Sequence, residues 1–168
     1  HAVGIESIFK KYGLKWECNS RVDTVNDEII QALKESNCQE IRLGIESGSQ
    51  IMVDNMNKGI NLDKAKVVIK KLHESGIPVK LYIMHGYPGE NIESSLETIQ
   101  YLNELRDYIH RISLYRFVPL PGSPVFNEGK LNKLDWTDYT IYDNNNHWWG
   151  TATDFNNMNI GYRMLERC

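Results

Sequence analysis

Apolar positions along the first two thirds of the chain switch repeatedly between helical spacing and short extended runs. Ile5, Ile8, Phe9 and Tyr12 stand on one helical face, and Gly13 follows as a stop. Trp16 to Asn19 reads as a short strand. Thr24-Val-Asn-Asp27 resembles a capping box, in which hydroxyl and carboxylate satisfy orphan N–H groups, and Ile29, Ile30 and Leu33 carry the buried stripe to about Ser36. Ile41, Leu43 and Ile45 predict the next strand, and Ile51, Val53 and Met56 a short helical segment after it. Asn61 caps a longer helix on Ala65, Val68, Ile69 and Leu72, which Gly76 ends. Val79 to Met84, bounded by Pro78 and Gly86, predicts a parallel strand covered on both faces. A helix on Ile92, Leu96, Ile99, Leu102 and Leu105 starts near Asn91, and Ile112 to Val118 is the last clear strand.

Strand alternates with helix throughout, which implies parallel strands joined by right-handed crossovers, in an α/β barrel or a doubly wound sheet. No Gly-x-Gly-x-x-Gly follows any strand, so a dinucleotide-binding open sheet lacks its phosphate loop. This pattern fills residues 1–126. Residues 127–168 form a polar, Asn-rich extension carrying Trp136, Trp148 and Trp149, with a further helical pattern on Phe155, Met158, Tyr162 and Leu165. His147 and the Trp pair beside it suit a pocket wall, but large aromatics more often cover a core edge.

Composition narrows the partners. With 168 residues the chain is long enough for one sizeable core. Its 19 Lys+Arg and 22 Asp+Glu give a net charge of -3, with the basic residues scattered, so no footprint for nucleic acid or an anionic membrane is evident and the expected ligand is a small molecule. Cys18, Cys38 and Cys168 have no C-x-x-C spacing, which indicates reduced thiols rather than a disulfide framework. Apolar runs fall far short of the roughly 20 residues of a membrane span. A soluble, cytoplasmic protein is expected. The first residue, His1, and a helical pattern still running at Cys168 suggest a piece excised from a longer protein.

The candidate chemistry lies where strands end. Glu46 stands one step beyond Ile45 at a Ser-Gly turn, where a carboxylate can accept from sugar hydroxyls or a ligand ammonium; equally, Ser47 and Gln50 form the capping box of a helix start with Glu46 solvated nearby. Lys58 before Gly59 can present an ammonium to a ligand carboxylate, although a Lys-Gly pair is usually a solvated turn. Arg21, at the end of the Trp16 strand, carries the same two readings. If the strands are parallel, Arg21, Glu46 and Lys58 share one side of the sheet and suit a zwitterionic ligand. Pro88-Gly89 and Pro121-Gly122 each predict a type II turn, and Gly86 and Gly89 also let backbone approach a flat ring. Glu90 is explained by the dipole of the following helix, and His85 and His110 as ordinary polar or core histidines.

Taken in order, Trp16-Glu-Cys-Asn-Ser-Arg21-Val-Asp, Leu43-Gly-Ile-Glu-Ser-Gly-Ser-Gln50, Met56-Asn-Lys58-Gly59, His85-Gly-Tyr-Pro-Gly-Glu90 and Val118-Pro-Leu-Pro-Gly-Ser123 resemble the radical S-adenosylmethionine enzymes. The branch most similar often carries a cobalamin-binding domain ahead of the barrel. The resemblance runs from the first helix to about Val125 and implies strands three to six of a partial, TIM-like (β/α) barrel. It also implies an iron-sulfur cluster of the 4Fe-4S kind that reduces bound S-adenosylmethionine, releasing a deoxyadenosyl radical, with cobalamin a further cofactor of the branch. By motif, Glu46 corresponds to a contact of the methionyl ammonium or ribose, Lys58 to the partner of the methionyl carboxylate, and Arg21 to a polar residue of the third strand facing the cofactor. Gly86 and Val118 correspond to backbone bordering the adenine.

One part of the family pattern is absent. The cluster-binding Cys-x-x-x-Cys-x-x-Cys loop follows the first strand in this family, and the resemblance starts only after the second. Cys18 and Cys38 cannot replace it, because cluster thiolates converge from closely spaced positions. The isolated chain is therefore expected to lack radical chemistry, and its Trp16 strand to present an unpaired edge that promotes self-association. Two other readings stand beside this one: a methylthiotransferase-like radical enzyme acting on transfer RNA, and a non-catalytic α/β module whose loops hold a partner.

Overall fold

A computed structural model of the protein describes residues 6–117 and 123–127. Its element order is α1 (Glu6–Tyr12), β1 (Trp16–Ser20), a 3-10 turn (Val22–Thr24), α2 (Asp27–Glu35), β2 (Cys38–Glu46), α3 (Gln50–Asn55), α4 (Leu62–Glu74), β3 (Val79–His85), α5 (Ile92–Leu105), β4 (Arg111–Arg116) and α6 (Pro124–Asn127). The strands form one parallel sheet in the order β1-β2-β3-β4, as strand-helix alternation requires. Among the described residues no helix is long and apolar enough to cross a membrane. The 127–168 extension with its tryptophans, the Pro121-Gly122 turn and Val118 lie outside the described residues.

The chain divides into two compact units. The first comprises His1–Ile45, Lys58–Ile83 and Asn103–Ser113, and the second comprises Glu46–Asn57, Met84–Leu102 and the chain from Leu114 onward. In the first unit, Ile41, Leu43 and Ile45 of β2 and Val79, Leu81 and Ile83 of β3 are fully buried, with Leu33, Ile69, Leu72 and Leu105 from the helices. Cys18 pairs with Ile41 and Ser20 with Leu43, after an irregularity between Trp16 and Glu17. The intervening positions of β3, Lys80, Tyr82 and Met84, are only half-buried. The strand is thus fully buried on one face and half-buried on the other, where full cover of both was expected; Lys80 and Tyr82 already carry that signal.

Helix ends follow local chemistry. Asn61 Oδ1 accepts the Lys64 N–H at 2.9 Å, and Gly76, at φ 78, ends α4 as expected. The expected Thr24 cap is displaced. The Thr24 hydroxyl donates to the Arg21 carbonyl at 2.8 Å and closes the 3-10 turn, leaving Asn26 to cap α2 by accepting from the Ile29 N–H at 2.9 Å. The buried face of α5 also differs from the apolar stripe: Ser94, Ser95, Thr98, Tyr101, Leu102 and Leu105 are buried, whereas Leu96 is 48% exposed.

Candidate cofactor-binding site

Each segment of the second unit begins at or near the C-terminal end of a parallel strand: Glu46 ends β2, Met84 lies one residue before the end of β3, and Leu114 lies within β4. Chain beyond the carboxyl ends of parallel strands is where open α/β sheets and barrels bind ligands. Glu46 opens this unit with a φ of 69°, in the left-handed region that a side chain other than glycine rarely adopts. Such a conformation costs on the order of 1 kcal/mol or more and concentrates at functional sites.

The turn after Glu46 is clamped onto α5. Thr98 Oγ1 donates to the Ser94 carbonyl at 3.0 Å, so its lone pairs accept the Ser47 hydroxyl and the Gly48 N–H, each at 3.0 Å. Ser47 Oγ in turn accepts the Ser49 N–H at 3.1 Å. Ser49, not Ser47, precedes the first residue of α3 and makes no side-chain cap, so the expected Ser47 and Gln50 capping box does not form. The Ser49 hydroxyl is buried and has no hydrogen-bond partner among the described residues. Gly48 is needed for space: a Cβ there would lie 2.5 Å from Tyr101 Cβ and 2.7 Å from Thr98 Cα.

The loop after β3 is built around Glu90. The Glu90 N–H donates to the Tyr87 carbonyl at 3.0 Å with Gly89 at φ 91, the type II turn expected from Pro88-Gly89. That turn returns residue 90 to residue 86. Glu90 is 3% exposed, and its Oε2 accepts the Gly86 N–H at 2.5 Å and stands 2.6 Å from Nδ1 of the equally buried His85. The imidazole approach is short but misaligned, so it acts as an electrostatic contact more than a directed hydrogen bond. The Phe117 N–H donates to the His85 carbonyl at 2.7 Å, and the Tyr87 ring meets Phe117 edge-on with centroids 4.9 Å apart. Glu90 thus has an internal role that a helix-dipole explanation missed; its spacing behind Pro-Gly was the available signal.

In the first unit, Arg21 and Lys58 come together through backbone. Arg21 donates Nε and Nη2 to Asp23 at 3.0 and 2.9 Å, and Nη2 also to the Lys58 carbonyl at 2.6 Å. Asp23 accordingly raises the Arg21 pKa, and Arg21 lowers that of Asp23. Lys58 is half-buried and lies between Asn57 at φ 53 and Gly59 at φ 64, two left-handed residues. Cys18 and Cys38 are neighbours on β1 and β2, and the hydrogen bond with Cys38, then burial, push the Cys18 pKa up. The same hydrogen bond lowers the Cys38 pKa, so the thiolate is disfavoured at Cys18 and favoured at Cys38. Among the described residues no group of three or more His, Cys, Asp or Glu could hold a metal ion.

Residues 2–102 match the Radical SAM superfamily. Bacteriochlorophyllide d C-12(1)-methyltransferase of Chlorobaculum tepidum is 28% identical over 136 residues, covering 79% of this chain and 29% of the relative. Coproporphyrinogen III oxidase of Escherichia coli, a radical SAM enzyme, superposes with a TM-score of 0.63 at 14% identity over 72% of this chain and 30% of that one. The radical S-adenosylmethionine methyltransferase TsrM of Kitasatospora setae, with cobalamin and a [4Fe-4S] cluster bound, does so with a TM-score of 0.60 at 12% identity, over 69% and 24%. The chain thus spans about a third or less of the proteins it matches, and its four strands correspond to part of their TIM-like barrels. With more than half of its length matched, the chain belongs to the radical SAM superfamily.

Proposed function

We propose that this chain supplies strand tips that bind S-adenosylmethionine in a radical enzyme modifying a small-molecule substrate. When bound at an iron-sulfur cluster, S-adenosylmethionine supplies a carbon radical able to remove hydrogen from a substrate. The chain's own residues bind and orient that cofactor. The observation that carries the reading is Glu46, a carboxylate held at φ 69 on the tip of β2 at a conformational cost. Its acceptor oxygens suit the donors of S-adenosylmethionine, an ammonium and ribose hydroxyls. The buried Ser49 hydroxyl, three residues on and without a hydrogen-bond partner among the described residues, suits a polar ligand as well.

By motif, Lys58 is proposed to pair with the methionyl carboxylate, Arg21 to face the cofactor from the end of β1, and Gly86 and Val118 to border the adenine. The described residues do not fit an iron-sulfur cluster, and none of them is proposed to ligate one. Cobalamin is proposed as a second cofactor of the same enzyme, supported by the likeness to TsrM, which has cobalamin bound.

The test is a nuclear magnetic resonance titration with S-adenosylmethionine, following backbone amides. Shifts are expected at Glu46, Ser49, Lys58 and Gly86. Glu46→Gln should weaken binding about 10-fold or more, since a charge-assisted hydrogen bond contributes about 1.5–3 kcal/mol. Shifts confined to other residues, or equal affinity in the variant, would overturn the proposal.

A further inference from the structure

We infer that Cys18 and Cys38 act as one dithiol, an oxidation site at which hydrogen peroxide joins β1 to β2 through a disulfide. The inference goes beyond the S-adenosylmethionine reading and does not rest on it. Trp16, Cys18 and Ser20 are half-buried and alternate with the exposed Glu17 and Asn19, so Cys18 shares a face with Trp16. Trp16 pairs with Cys38 and Cys18 with Ile41, which sets the two cysteines diagonally across neighbouring strands on that face. Both thiols are free, and a hydrogen bond joins their sulfurs. The Cys38 thiol donates in turn to the Glu40 carbonyl at 3.4 Å, so one chain of contacts holds both groups.

The two sulfurs differ as a redox pair requires. The hydrogen bond between them lowers the Cys38 pKa and raises that of Cys18, which makes Cys38 the nucleophile. Cys38 is 8% exposed, so the oxidant that reaches it has to be small, and hydrogen peroxide is close to water in size. The Cys38 thiolate attacks one peroxide oxygen: an S–O bond forms, the O–O bond breaks, and the departing hydroxide takes up a proton to leave as water, with sulfenic acid at Cys38. The Cys18 sulfur then attacks the Cys38 sulfur. The S–S bond forms, the S–O bond breaks, and the Cys18 proton leaves with that hydroxide as a second water. Two thiols have lost two electrons, and one peroxide has gained them. A bond across a diagonal draws the strands together, and β1 is the strand able to follow, an edge bonded to β2 alone among the described residues. Closed at that cost, the bond is readily reduced again.

The test treats the full chain with hydrogen peroxide, alkylates the remaining thiols and maps the digested peptides by mass spectrometry. The expected product links the Cys18 and Cys38 peptides with the loss of two hydrogen atoms, and Cys168 stands outside the link. In Cys18→Ser, Cys38 should stop at sulfenic acid, which dimedone traps. In Cys38→Ser, Cys18 should react at least about 10-fold more slowly than Cys38 does in the other variant. If either variant does not fold, the linkage map of the unmodified chain decides alone. Thiols left unoxidised, cysteines oxidised singly without a link, or a link to Cys168 or to a second chain in its place would overturn the inference. So would dimedone capture at Cys18 in Cys38→Ser with none at Cys38 in Cys18→Ser, because the roles of the two sulfurs would then be reversed.

Discussion

Two neighbours on one turn obey opposite rules. Glu46 keeps a side chain where backbone geometry favours glycine, whereas Gly48 lacks one where its neighbours leave no room. The distinction matters because a left-handed φ is a local cost, while a missing Cβ is a demand made by another element. For Gly48 that element is α5, and the atoms in the way include the Thr98 Cα, which cannot swing aside as a side chain would. Gly48→Ala is therefore expected to destabilise the protein by about 1–3 kcal/mol, the usual range for overpacking. Chemical denaturation measures this directly, and a change below about 0.5 kcal/mol, typical of an unconstrained surface position, would refute it.

The element that receives Gly48 shows how far hydrophobic periodicity reaches. The apolar stripe Ile92, Leu96, Ile99, Leu102, Leu105 located α5 correctly but turned its N-terminal half the wrong way. Ser94, Ser95 and Thr98 face inward there because a polar turn, Ser47-Gly48-Ser49, has to be hydrogen-bonded against them. Thr98→Val preserves shape while removing the oxygen that serves Ser47 and Gly48, so it should cost about 1–3 kcal/mol through unsatisfied buried groups. Leu96→Gln, on a half-exposed position, should stay within about 0.5 kcal/mol. Equal effects in thermal or urea unfolding would refute this orientation of α5. The four strands, the Asn61 cap and the Gly76 stop were legible, since each depends on residues close in sequence. The Thr98 clamp and the Glu90 contact were not, because each pairs a residue with a loop whose path is set by tertiary packing. The candidate site was legible as a set of strand-end positions, but the left-handed Glu46 and the space-demanding Gly48 carry no signal in residue type alone.

At the scale of the molecule, the sheet of the first unit is tied together by charge. Glu40 of β2, 3% exposed, accepts from Arg111 of β4 through Nε at 2.6 Å and Nη2 at 2.7 Å, and from Arg42 Nε at 3.0 Å. Arg42 also pairs with Glu17 of β1, so one network spans residues far apart in sequence. The exposed His110 lies 3.4 Å from the same carboxylate. Arg111 is the main cause holding the Glu40 pKa below its ordinary value of 4.5, against the opposing effect of burial. The folded protein therefore binds this proton more weakly than the unfolded chain, and the ionised carboxylate favours folding wherever it is charged in both states. That contribution is fully present above about pH 5 and is lost as pH falls through 4.5 toward the depressed folded value. Glu40→Gln should accordingly lower the urea midpoint at pH 7, and the gap from the parent should close between pH 5 and pH 3. A gap that stays constant over that range would mean that packing, and not the ionised carboxylate, accounts for the contribution of Glu40 to joining β2 and β4.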